Sequence, residues 1–202
     1  MYISRKGFRQ TRTHFKKISS NTHKTSKGIC YGDFLLWSLD RQKLPRPTVD
    51  NLTIQIDHNE NQTKNAWLTK SLLKKIQLKE RVGSTVFEFY QNHYSTDNAF
   101  HIIEMQFIHN PKRPKCCGIR ISATDKKQVP HSHILGYEHG SISYVLFDNN
   151  TKPNPTYESE NPELMKSELA SRLNQYMEKW DAPKISIQLV WYKPFNRINR
   201  CH

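Results

Sequence analysis

Residues His133-Ile134-Leu135-Gly136-Tyr137 and Ser141-Ile142-Ser143-Tyr144-Val145-Leu146-Phe147 leave the chain little choice of fold around them. Both runs are rich in β-branched and aromatic residues, and Glu138-His139-Gly140 between them makes a tight turn, so the pair reads as an antiparallel hairpin. His133 stands at the start of the first strand. Asp148 follows the second, at the same edge of the sheet. Hairpin geometry sets residues equidistant from the turn opposite each other, so this imidazole and this carboxylate can meet without help from the rest of the chain.

The other segments supply the surroundings of that hairpin. Gly118–Ser122 reads as a strand, Ile185–Tyr192 as the last strand, and Phe100–Ile108 as β-like. Glu163–Trp180 is predicted as a long helix with Leu164, Leu169, Leu173, Tyr176, Met177 and Trp180 inward, Pro162 in its first turn and Asn161 as its cap. Apolar residues recur near helical spacing over 62–79, with Lys64, Lys70, Lys74 and Lys75 between them, which predicts an amphipathic helix with a basic outer face. Residues 86–94 lean to helix, 48–60 to a short strand or loop after the breaks at Pro45 and Pro47, and 149–155 to a loop. Helices come first, then an antiparallel sheet interrupted by one helix: an α+β arrangement.

The stretch Gly28-Ile29-Cys30-Tyr31-Gly32-Asp33-Phe34-Leu35-Leu36-Trp37-Ser38-Leu39-Asp40 turns abruptly from polar to amphipathic. It predicts a helix buried mainly through Phe34, Leu35 and Trp37. Cys30 falls at its start, where unpaired backbone N–H groups and the positive end of the helix dipole favour a thiolate.

The chain has 202 residues, room for one domain with an appendage and a real core. Residues 1–27 hold eight Lys/Arg and no acid, which predicts an extended basic arm, and 197–202 form a short tail. The net charge of +13 points to anionic partners: an anionic membrane or an acidic protein surface reached through the arm, or nucleic acid. Cysteines stand at 30, 116, 117 and 201, and the adjacent pair argues against a disulfide framework. A metal site drawn from Cys116, Cys117, His131 and His133 lacks the spacing zinc sites use, and no glycine loop cradles a phosphate. No apolar run approaches the length of a membrane span, and the N-terminus lacks the apolar core of a cleavable signal peptide.

A histidine that activates a cysteine, with a third polar group behind it, is the logic of covalent acyl transfer. In Gly28-Ile29-Cys30 opening an aromatic-containing helix, in His133-Ile134-Leu135-Gly136-Tyr137, and in Tyr144-Val145-Leu146-Phe147-Asp148-Asn149-Asn150, the sequence resembles the papain-like cysteine proteases of the YopT/AvrPphB type, effectors that bacteria inject into eukaryotic cells. The resemblance implies an N-terminal helical lobe carrying the cysteine helix, packed on a C-terminal antiparallel sheet carrying His and Asp, within a catalytic domain over 28–196. It implies Cys30 as nucleophile, His133 as general base and Asp148 as orienting acid, with no cofactor. It further implies a host protein as substrate and secretion into the host cytoplasm as a virulence factor or toxin. Asp148-Asn149-Asn150 stands where the family often has Asp-Pro-Asn. The amide donor expected shortly before the cysteine is replaced by Lys24 and Thr25, with Asn21 further upstream. His131 is a second candidate base. Two other readings fit these residues: the same triad working as a deamidase, transglutaminase or acyltransferase, or a non-enzymatic nucleic-acid-binding protein using the arm, the lysines of 64–75 and stacking by Tyr90 and Tyr94.

Overall fold

A computed structural model of the chain describes residues 29–61, 68–90, 95–110, 112–151 and 153–194. The basic arm over 1–27, Gly28, Lys64, Tyr94 and the tail over 197–202 therefore lie outside the described residues. In chain order the elements are α1 (Cys30–Arg41), α2 (Asn51–Asn61), α3 (Lys70–Lys75), β1 (Leu78–Tyr90), α4 (Ser95–Ile108), β2 (Cys116–Thr124), β3 (Pro130–His139), β4 (Tyr144–Phe147), β5 (Thr156–Ser159), α5 (Pro162–Trp180) and β6 (Lys184–Pro194). The strands form one antiparallel sheet in the order β1-β6-β2-β3-β4-β5. The fold is α+β.

Alternation along the strands divides the core in two. Ile185, Ile187, Leu189 and Trp191 of β6 join Leu135 and Tyr137 of β3 beneath α4 and α5. Val190 and Tyr192, one residue out of phase, face α1, α2 and α3 together with Ile134. Two glycines let α1 lie close on this second face: a Cβ at Gly118 would come within 2.7 Å of the Phe34 ring, and one at Gly136 within 2.4 Å of Trp37. Phe34 and Leu35 are fully buried, and Trp37, half-buried, stacks on Phe147 with ring centroids 5.2 Å apart. Burial of a side chain such as Phe34 or Leu35 is worth about 1.5–3 kcal/mol each, so α1 is anchored to the sheet by its apolar stripe.

Several segments differ from their sequence reading, each for a visible reason. Phe100–Ile108 is helical, within α4, because Phe100, Ile103 and Phe107 share one buried face at helical spacing; their β-branched and aromatic neighbours masked that period. Residues 51–61 are the helix α2, whose buried face is Ile54, Gln55, His58 and Asn61, a mostly polar stripe that leaves no apolar signal. The helix expected over 62–79 is confined, among described residues, to Lys70–Lys75, and Leu78 already begins β1. Val86–Tyr90, read as helical, is the second half of β1, paired with β6 from Gln188 to Lys184. The sheet is thus interrupted by two helices, with β1 before α4. In α5 the Asn161 cap and the first-turn Pro162 are as expected, but Leu164 is 53% exposed and takes no part in the core.

Candidate active site

β4 is only four residues long and pairs with β3 from Gly136 to His139, so the first half of β3 runs on unaccompanied on that side. Into this notch three elements bring one side chain each. β3 supplies His133, 4% exposed; the turn after β4 supplies Asp148, 3% exposed; and the first residue of α1 supplies Cys30, half-buried. The cysteine, histidine and aspartate singled out in the sequence therefore meet.

His133 Nε2 donates to Asp148 Oδ1 at 3.0 Å. With that nitrogen engaged, Nδ1 is left to face Cys30, the other side chain that acts on the imidazole. Burial alone would depress the His133 pKa. The bond to Asp148, and the bond and negative charge of Cys30, outweigh it and raise the value from 6.5 to about 9. Burial pushes Asp148 the other way from its partners; His133, the Asn150 N–H and Tyr176 win, and hold the carboxyl below its ordinary 3.8. These shifts describe an imidazolium held against the Asp148 carboxylate at neutral pH.

Asp148 is held by more than the histidine. The Asn150 backbone N–H donates to Oδ1 at 2.9 Å, and the Tyr176 hydroxyl lies 3.0 Å from both carboxylate oxygens. Asn150 Nδ2 donates in turn to the Tyr176 oxygen at 3.0 Å and sits 3.5 Å from His133 Nδ1. The Tyr176 ring stacks on the imidazole, centroids 4.6 Å apart. Burial, and then the Asp148 charge, raise the Tyr176 pKa, so the phenol stays a donor. Tyr176 and Asn150 were missed as site residues: Tyr176 read as one more inward residue of a helix, and Asn150 as part of an ordinary turn. Tyr176→Phe keeps the stacked ring and removes one hydrogen bond to Asp148. Any turnover at Cys30 should fall on the order of tenfold, the kinetic equivalent of about 1.4 kcal/mol. A pH–rate profile whose limbs move with the loss would mark the hydroxyl as positioning the acid–base pair; a uniform loss at every pH would mark it as structural only.

The start of α1 is fixed from α2. Ile29, the residue before the helix, gives no side-chain cap; Gln55 Oε1 instead accepts from the Tyr31 N–H at 2.8 Å and the Gly32 N–H at 3.3 Å. Asp33, one turn after the cysteine, accepts from Asn51 Nδ2 at 2.7 Å and from Asn149 Nδ2 at 2.9 Å. Asp33 thereby ties the cysteine helix both to α2 and to the turn that carries Asp148. These partners were not read from the sequence either, because an amide eighteen or more residues away leaves no local pattern.

The second candidate base, His131, is engaged elsewhere: its Nε2 lies 3.1 Å from Asp125 Oδ2 and its ring stacks on Trp180. Cys116 and Cys117 are buried, and burial pushes the Cys116 thiol up to about 12 and the Cys117 thiol well above its ordinary value. Neither can offer a thiolate near neutrality. Among the described residues no group of His, Cys, Asp or Glu side chains is placed to hold a metal ion. No described helix is long and apolar enough to cross a membrane.

No protein-family model matches this sequence, and no curated protein matches it. Its structure does have a solved neighbour. The chain is similar in fold to the avirulence protein AvrPphB of Pseudomonas, with a TM-score of 0.50 over 81% of this chain and 91% of that one. Sequence identity is 9%, so the likeness is one of fold. It extends the resemblance read from about thirty residues to the path of most of the chain.

The site has a consequence for stability. Folding raises the His133 pKa above its ordinary 6.5, so the folded state holds a proton the unfolded chain gives up. That contribution is complete below 6.5 and is lost as pH rises through about 9. Asp148, shifted down, works oppositely, contributing above 3.8 and losing that contribution as pH falls through its folded value. Denaturant melts should therefore show stability declining between pH 6.5 and 9, and a His133→Asn variant should flatten that decline.

Proposed function

We propose that the protein is a papain-like thiol protease in which Cys30 is the nucleophile, His133 the acid–base and Asp148 its orienting partner. The observation that carries this reading is the placement of His133 between the Cys30 thiol and the Asp148 carboxylate. Cys30 Sγ attacks a peptide carbonyl carbon, and the carbonyl electron pair moves onto oxygen. As the tetrahedral intermediate collapses, the C–N bond breaks and His133 gives its proton to the leaving amine. Water then attacks the thioester, with His133 taking its proton, and the second product leaves as a carboxylic acid while the thiolate is restored. With the Tyr31 and Gly32 N–H groups taken by Gln55, the Cys30 N–H is the donor that the helix start offers to the oxyanion.

The substrate is a protein, and in this reading a host protein met after secretion into its cytoplasm. The AvrPphB-like fold and the three motifs support both statements. The domain runs over 28–196, preceded by the basic arm and followed by the short tail. In the nucleic-acid reading, Tyr90 is 38% exposed but has the Lys184 ammonium over its ring, 5.8 Å from the centroid. Addition of wild-type and Cys30→Ala proteins to a eukaryotic lysate, with new protein N-termini sequenced, tests the proposal. Cleavages made by the first and absent with the second are expected. Identical N-termini in both samples, from a preparation whose Cys30 still reacts with electrophiles, would remove proteolysis and leave the other acyl-transfer chemistries.

A further inference from the structure

At one corner of the sheet, remote from the notch, cations gather from three segments. Arg81 on β1 is in register with Trp191 on β6, and Lys193 lies two residues further along the same face of β6. The loop after α4 folds over them: the Arg113 guanidinium sits 4.2 Å from the Trp191 ring centre, and Lys193 Nζ donates to the Lys112 carbonyl. Arg81 and Lys112 are exposed. The charges are close enough to oppose one another, since Arg81, Arg113 and Lys112 together push the Lys193 ammonium below its ordinary pKa after burial has done so. Glu104, on the same side of the sheet, is turned inward to Tyr137 and His139 and does not neutralise them.

An exposed apolar side chain leads into this loop. Ile108, the last residue of α4 and four before Lys112, is 62% exposed. Cations around an exposed aliphatic residue fit a layered partner, with anionic groups at the surface and hydrocarbon beneath. A duplex gives the cations phosphates but gives Ile108 nothing. The exposed tyrosine that could stack on bases, Tyr90, is at the far end of β1, paired with Lys184 and bonded to Glu88.

We propose that this corner, built from Arg81, Lys112, Arg113, Lys193 and Ile108, is a docking surface for a membrane rich in anionic lipid. His133 is in register with Ile121, and Ile121 with Ile187, whereas Lys193 lies six residues further along β6. At ~3.3 Å per residue the two are roughly 20 Å apart along the sheet, so a docked molecule keeps its notch open.

Sedimentation of the full chain with phosphatidylcholine vesicles, with or without phosphatidylserine, tests the surface. Binding that requires phosphatidylserine is expected. The Arg81→Glu/Lys112→Glu double variant should bind such vesicles at least about tenfold more weakly, each reversed charge removing an attraction of the order known for surface lysines. Ile108→Asp should weaken vesicle binding several-fold yet leave binding to a DNA duplex unchanged. Both variants replace exposed side chains, and thermal midpoints equal to wild type are required of each. Vesicle binding by the double variant at wild-type strength would overturn the proposal, by placing all affinity in the arm. An Ile108→Asp variant that binds vesicles as wild type does, or loses duplex and vesicle affinity in the same proportion, would overturn it in favour of a general polyanion surface.

Discussion

Asp148→Asn should lower turnover at Cys30 on the order of a thousandfold while leaving the fold intact, as expected when the orienting carboxylate of a triad is neutralised. Three donors converge on Asp148: His133 Nε2, the Asn150 N–H and the Tyr176 hydroxyl. A carboxylate has acceptor sites for all of them, whereas an amide must turn an NH₂ toward at least one. The hydrogen bond that fixes the proton on Nε2, and so presents Nδ1 to Cys30, is then no longer guaranteed. The charge that helps hold His133 near 9 is also gone, so the imidazolium should deprotonate at lower pH. Steady-state rates on any substrate found in a lysate, or alkylation rates of Cys30 against pH, read both effects. Unchanged rates and an unchanged alkaline limb would show that Asp148 does not orient His133.

Gly32→Ala has the largest stability effect to be expected of so small a change. A Cβ at this position would lie 2.0 Å from the Asn51 carbonyl oxygen and 2.8 Å from its carbon. Backbone, unlike a flexible side-chain end, cannot step aside. The start of α2 would have to leave α1, loosening the Gln55 bonds to the Tyr31 and Gly32 N–H groups and the Asn51 bond to Asp33. A loss of about 3 kcal/mol or more is expected in denaturant melts, with Cys30 displaced as the first turn of α1 shifts. Retention of wild-type stability would mean that α2 does not press on the cysteine helix.

Much of this site was legible because it is local. His133 and Asp148 belong to one hairpin, and a cysteine at an abrupt polar-to-apolar boundary advertises the start of a helix. The supporting residues are another matter. Gln55, Asn51 and Tyr176 act on residues 18–28 positions away, where no periodicity links them, and Gln55 sits on a helix whose buried stripe is mostly polar. The fold was legible where propensity and period agreed, as in α5 and β6. It was misread where they conflicted, as in Phe100–Ile108, whose strand-like residues sit on a helix because the packing of Phe100, Ile103 and Phe107 outweighs propensity. The small residues Gly118 and Gly136 carried no meaning in the sequence; in the fold they are the floor on which Phe34 and Trp37 rest.

The decisive measurement is covalent labelling of the native protein by an irreversible cysteine-protease electrophile, with the adduct mapped and the rate followed in wild type and His133→Ala. A thiolate paired with the His133 imidazolium predicts fast modification at Cys30, slow modification at Cys116 and Cys117, and loss of the Cys30 rate advantage in His133→Ala. Modification of the cysteines at similar rates, or a Cys30 rate indifferent to His133, would contradict the triad.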